Sequence, residues 1–73
     1  MTDVVDSDEL LRRIQRARAC AREELKDLRT RSEDLVRTDP DAARDAYVRG
    51  LAYEAVVDVL DEIVTPGRHP DAL

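Results

Sequence analysis

The stretch RTDPDAAR, residues 37–44, divides the chain into two segments of helical pattern. Within it Asp39 precedes Pro40. This order is typical of a helix start, because a carboxylate caps free backbone N–H groups and proline fits the first helical position. Asp41 adds negative charge to the first turn, where the helix dipole favours it. The reversal at Thr38 and Asp39 is so short that the two helices are predicted to fold back antiparallel.

Upstream of this break, apolar and small residues recur every three or four positions, which indicates one stripe along an α-helix. The stripe consists of Leu10, Ile14, Ala17, Ala21, Leu25, Leu28, Ser32 and Leu35. Ser7 is predicted to cap this helix, because Asp8 and Glu9 follow it in the first turn. Residues 8–37 are therefore predicted to form helix 1, and residues 1–7 a flexible N-terminus.

Downstream of the break, residues 40–64 are predicted to form helix 2. The prolines and glycine of TPGRHP end it and leave residues 65–73 as a flexible tail. One apolar seam of helix 2 consists of Ala43, Ala46, Gly50, Tyr53, Val57, Leu60 and Val64. A second apolar set lies on a neighbouring face and consists of Val48, Ala52, Val56, Val59 and Ile63. A single packed helix covers a stripe of about 100°, so helix 1 cannot bury both faces.

Length and composition favour self-association. A chain of 73 residues buries only roughly 60% of the surface that its unfolded form exposes, and small domains usually need a disulfide, a metal or a second subunit. Cys20, predicted to be half-buried beside the helix 1 stripe, is the single cysteine, and His69 lies far from it in sequence. Neither an internal disulfide nor a metal site is therefore expected.

We therefore predict an all-α antiparallel helical hairpin, residues 8–64, that dimerises into an antiparallel four-helix bundle. Gly50, in the middle of helix 2, predicts a close crossing of the two helices. The residues predicted to form the dimer or partner interface are Val48, Ala52, Tyr53, Val56, Val59, Leu60 and Ile63.

The segment RRIQRARACAR, residues 12–22, holds five arginines and no acid, although the chain has 17 acidic and 12 basic residues and a net charge of −5. In an antiparallel hairpin this segment lies beside the acidic C-terminal half of helix 2. Pairing between the clusters is predicted to set register and orientation, because exposed ion pairs contribute only about 0.2–1 kcal/mol each. The residues predicted to pair are Arg12, Arg13, Arg16, Arg18 and Arg22 with Glu54, Asp58, Asp61 and Glu62.

The sequence offers no arrangement typical of catalysis, which needs a positioned nucleophile and base or paired carboxylates in a shielded cleft. Ser32 is interpreted as small filler on the helix 1 stripe, His69 lies in the predicted tail, and a two-helix hairpin is not expected to form a substrate pocket. No catalytic residue, metal, cofactor or small-molecule substrate is therefore predicted. The acidic N-terminus and the absence of a long apolar run predict a cytoplasmic protein without a membrane span.

Two functions remain open. The surplus apolar face favours a protein–protein interaction module, a small regulator, adaptor or inhibitor that forms a homodimer or docks helix 2 on another protein. The alternative is an RNA-binding regulator, because the size and layout of the chain resemble the Rop family of plasmid RNA-binding regulators, hairpins that dimerise into four-helix bundles. The resemblance implies that Arg12, Arg16 and their neighbours form a basic dimer face. Net acidity and the absence of Phe and Trp for base stacking argue against nucleic acid.

Overall fold

The computed structural model describes residues 6–67, which form two α-helices, α1 (Ser7–Leu35) and α2 (Pro40–Val64). The helices pack against each other as a hairpin, so the predicted all-α hairpin is confirmed for these residues. Within this part of the chain, neither helix is long and apolar enough to cross a membrane. The remaining positions of the two predicted flexible ends, 1–5 and 68–73, lie outside the described residues.

Helix α2 begins and ends where the sequence predicts. The carboxylate of Asp39 accepts a hydrogen bond from the Ala42 N–H at 3.1 Å, and Pro40 is the first helical residue. The backbone N–H groups of Thr38 and Asp39 both donate to the Leu35 carbonyl, at 3.1 and 2.8 Å, and this closes the turn. The predicted N-cap and reversal are therefore confirmed.

Helix α1 differs from its predicted bounds of 8–37. The N-cap is Asp6 instead of Ser7, because the Asp6 carboxylate accepts from the Glu9 N–H at 2.7 Å and Ser7 is already helical. A charged acceptor three residues before a free N–H satisfies the helix start. At the other end, Val36 and Arg37 belong to the turn, which needs these residues to reverse the chain before the α2 cap.

The core between the helices is narrow. Its buried residues are Ala21, Leu25 and Leu28 on α1 and Ala43, Ala46, Gly50 and Val57 on α2. Gly50 lies against α1: a Cβ atom built on it would be 3.7 Å from Leu25 Cδ1 and 3.9 Å from Leu28 Cβ. The predicted crossing at Gly50 is therefore present, with room for one more carbon atom.

The two helices do not overlap over their full length. Gly50 packs opposite Leu28. Counting along both helices from this contact places Val64, the last residue of α2, about level with Ile14. The first two turns of α1 therefore extend past the end of α2 by about 10 Å. As a result Leu10 is 51% exposed, although it lies on the stripe that was predicted to be buried.

Near the free end of the hairpin, three residues of α1 differ in burial from the prediction. Ala17 and Cys20, predicted to lie inward or half-buried, are both exposed. Arg18 is half-buried in their place, since its guanidinium contacts Asp61 of α2. At this level the long side chain of Arg18 reaches α2 and pairs with it, whereas the short side chain of Ala17 stays exposed.

Candidate interaction surface

One face of α2 is apolar and unpacked within the hairpin. We call it the outer face and define it as Val48, Ala52, Ala55, Val56, Val59 and Ile63, all of which are exposed. The exposed fractions of its larger members are 54% for Val48, 47% for Val56, 61% for Val59 and 52% for Ile63. Apart from the adjacent pair Ala55 and Val56, these residues are spaced by three or four positions, so they form one stripe on the side of α2 away from Gly50 and Val57.

The remaining predicted interface residues, Tyr53 and Leu60, lie at the edge of this face. Tyr53 is 37% exposed, and Leu60 is half-buried against the core residues Ala21, Leu25 and Val57. Leu60 also lines a shallow apolar depression of about 270 Å³ with Ala55, Val56 and Val59. The structure thus brings all seven predicted interface residues onto one continuous apolar surface of α2.

The ion pairs between the helices use three arginines. Asp61 accepts hydrogen bonds from Arg18 at 3.3 Å and from Arg22 at 3.0 Å, and Glu54 accepts from Arg29 at 2.6 Å. The side chains of Asp61 and Arg18 are only 18% and 21% exposed, so this pair is better shielded from solvent than the others. The expected attraction between the arginines of α1 and the acids of α2 is therefore present at Arg18 and Arg22.

The other predicted arginines have a different partner. Arg12 and Arg13 contact the Glu9 carboxylate at 3.1 and 3.0 Å, and Arg16 approaches it at 3.9 Å. Arg12 and Arg13 lie past the end of α2, where a carboxylate one turn away on α1 is the nearest anion. Arg16 lies level with the last turn of α2 but projects from the opposite face of α1, and Glu9 is two turns away from it. The structure does not bring Arg12, Arg13 or Arg16 onto the acids of α2.

The last two predicted acids of α2 do not join these cross-helix pairs. Asp58 is exposed. The Glu62 carboxylate accepts from the Gly67 N–H at 2.9 Å, which holds the turn after α2 against the helix. Gly67 has a φ of 87°, a left-handed conformation that glycine adopts without strain. Glu62 therefore has a local structural contact.

Two polar contacts were missed by the reasoning from sequence. Ser32 donates from its hydroxyl to the Ala43 carbonyl at 2.9 Å, joining the helices close to the turn. Ser32 is therefore a hydrogen-bonding contact between the helices and not only a small filler residue, and its place on the α1 stripe opposite the start of α2 is the sequence feature that indicates this role. Arg29 also lies beside the stripe, two turns after Arg22, and its pairing with Glu54 follows from the same antiparallel geometry.

A half-open groove of about 450 Å³ lies between the helices, contrary to the expectation that a hairpin forms no such depression. It is lined by Arg29, Ser32, Glu33, Ala46, Tyr47, Gly50, Leu51 and Glu54. Two of its polar groups are bonded within the hairpin, Arg29 to Glu54 and Ser32 to a backbone carbonyl. Over residues 6–67, no group of three or more His, Cys, Asp or Glu residues is placed to hold a metal ion. His69 lies outside the described residues.

No protein-family model, no curated protein and no solved structure matches the chain. Its function is therefore inferred from the geometry and chemistry of the hairpin. Two features of the hairpin indicate a function: the exposed outer face of α2 and the exposed arginines near the start of α1.

Proposed function

We propose that this protein is a non-enzymatic protein–protein interaction module, a small regulator, adaptor or inhibitor, and that it acts as a homodimeric helical bundle. The single observation that carries this proposal is the outer face of α2. An apolar stripe runs along it from Val48 to Ile63, and α1 leaves it exposed. Continuous exposed apolar patches on small proteins mark sites of association.

The free energy available from covering this face is large for so small a domain. Full burial of a valine or isoleucine side chain contributes about 1.5–3 kcal/mol. The four larger members of the outer face are each about half exposed, so covering them contributes about 3–6 kcal/mol in total. The narrow core between α1 and α2 supplies few such side chains. Association through the outer face is therefore expected to stabilise the fold as well as to recruit a partner.

A non-enzymatic role is supported by the chemistry of the groove between the helices. Catalysis requires a nucleophile and a base, or paired carboxylates, that are free to act on a substrate. In the groove the Arg29 guanidinium and the Glu54 carboxylate hold each other at 2.6 Å, and the Ser32 hydroxyl donates to the backbone. These groups serve to join the helices.

Sedimentation equilibrium tests the proposal. The wild-type chain is expected to be a dimer at micromolar concentration, with a melting temperature that rises with protein concentration. Val59→Glu is expected to shift the chain towards monomer, because it places a charge in the middle of the outer face. Val36→Glu is the matched control, since Val36 is similarly exposed, at 57%, but lies in the turn. A wild-type monomer at high micromolar concentration with a sharp, concentration-independent melting transition would contradict the dimer.

The competing function, an RNA-binding regulator, is favoured by the exposure of the arginines at the start of α1. The side chains of Arg12 and Arg16 are 60% and 69% exposed. Glu9, however, contacts both of these side chains and reduces their joint positive charge. A titration with mixed-sequence RNA at low salt separates the two functions, and we expect no binding. Micromolar binding that weakens steeply with salt and disappears when both arginines are replaced by glutamate would favour the RNA-binding function.

A further inference from the structure

We infer that the second copy packs antiparallel along α2, with Val48 against Ile63 of the second copy and Ala52 against its Val59. A two-fold axis then passes between Ala55 and Val56. The inference rests on the proposed homodimer and specifies its orientation and register. The occupant of the outer face is a second copy of this chain, aligned so that the apolar stretch of residues 48–63 overlaps itself.

Side-chain size favours this arrangement over a parallel one. In the antiparallel register each smaller residue meets a larger one, Ala52 against Val59 and Ala55 against Val56. In a parallel pair each residue meets its own copy, so Ala52 would face alanine and Ile63 would face isoleucine. Helix interfaces pack without voids when large and small residues alternate across them. The antiparallel register therefore gives layers of more even volume.

Charge favours the same orientation. Asp45 lies in line with the outer face, about one turn before Val48, and its side chain is 72% exposed. In a parallel pair the two Asp45 carboxylates would face each other across the seam, and like charges there are unfavourable. In the antiparallel register Asp45 lies level with Pro66 of the second copy, just past the end of its α2. The carboxylate then stays in solvent and the two copies of it lie far apart.

The same register brings the ends of the two hairpins level. Within one hairpin, α1 extends about two turns past Val64. In the antiparallel register, Pro40 of the second copy also lies about two turns past Val64, level along the helix axis with the first residue of α1, Ser7. Residues 48–63 alone define the register, so the alignment of the hairpin ends supports that register independently. The two hairpins overlap over their whole length in it.

Disulfide crosslinking tests the orientation, in full-length chains that carry Cys20→Ser to remove the exposed native thiol. We prepare Val48→Cys, Ile63→Cys and Val56→Cys. Across the antiparallel seam, residues 48 and 63 of different chains are neighbours, whereas residue 63 lies about 22 Å from its own copy. A disulfide requires Cα atoms within about 7 Å. We expect a mixture of Val48→Cys and Ile63→Cys to give dimers with one chain of each kind, and each variant alone to stay uncrosslinked.

Val56→Cys separates failure of the orientation from failure of the proposed dimer. Residue 56 lies next to the two-fold axis, so this variant crosslinks to itself in either orientation. If it crosslinks and Ile63→Cys alone also does, the pair is parallel and the inference is overturned, while the dimer stands. If Val56→Cys crosslinks but the mixture of Val48→Cys and Ile63→Cys does not, the register is wrong. If no variant crosslinks and sedimentation gives a monomer, both the inference and the homodimer fail.

Discussion

Replacing Gly50 with alanine is expected to stabilise the hairpin by about 1–2 kcal/mol. Glycine in a helix interior is less favourable than alanine by about 1 kcal/mol, and Gly50 lies in the middle of α2. The added methyl group would lie 3.7 Å from Leu25 Cδ1 and 3.9 Å from Leu28 Cβ, which are ordinary van der Waals distances. No shift of α1 is needed, and burial of the methyl group contributes up to about 0.8 kcal/mol more.

The assay is thermal and urea denaturation followed by far-ultraviolet circular dichroism at one fixed protein concentration. For a domain of this size, 1 kcal/mol corresponds to a rise in melting temperature of about 4–8 °C. Gly67→Ala is the matched control: nothing lies within 4 Å of a Cβ atom there, but φ is 87°, so strain is expected and no gain. Gly50→Leu should destabilise, because it overfills the same space. A loss of 1 kcal/mol or more for Gly50→Ala would refute the helix spacing at this crossing.

The remaining predictions concern the core and the charges. Leu28→Asp should abolish the helical circular dichroism signal, because Leu28 is 5% exposed and an unpaired buried charge costs several kcal/mol; a folded variant would mean that the seam is misplaced. Asp61→Asn should lower the free energy of unfolding in urea by about 1 kcal/mol, because it leaves two arginines without their carboxylate; Asp45→Asn, an exposed control, should have no measurable effect. Replacing Arg12, Arg13 and Arg16 together by glutamate should change the free energy of unfolding little, whereas Arg18→Glu should lower it. Equal losses in both variants would contradict the finding that Arg18 pairs with α2 and the other three arginines with Glu9.

The features that could be predicted from sequence are those determined within a few residues. Asp39 and Pro40 start α2 by local capping and backbone geometry, and these interactions are the same whatever packs nearby. The outer face of α2 could be predicted for a related reason. Its apolar arc is wider than one neighbouring helix covers, so part of it had to remain exposed beside α1. Val56 and Val59 accordingly lie where the helical period places them.

The features that could not be predicted depend on the register between the helices. The α1 stripe has the same period at Leu10 as at Leu25, yet Leu25 is 8% exposed and Leu10 is 51% exposed. The difference arises because α2 ends opposite Ile14. The period of α1 does not predict where α2 ends. The prediction that Ser7 caps α1 was wrong for another reason. Asp6 and Ser7 are both good caps, and the choice between them depends on which one reaches the Glu9 N–H.

The division of the arginine segment follows from this register. Its later members, Arg18 and Arg22, lie beside α2 and bind Asp61, whereas Arg12 and Arg13 lie where α2 has ended and contact Glu9. An anion one turn away on the same helix requires no tertiary contact, so it binds the arginines that α2 does not reach. In the antiparallel dimer that we propose, the two arginine groups lie towards opposite ends of the bundle, so that along its axis Arg12 is about 30 Å and Arg16 about 20 Å from its own copy. Each end then carries the arginines of one chain, Arg12, Arg13 and Arg16, and Glu9 of the same chain contacts them. In a parallel pair the two groups would instead lie at the same end and form one larger basic surface, which would favour binding of a nucleic-acid phosphate backbone.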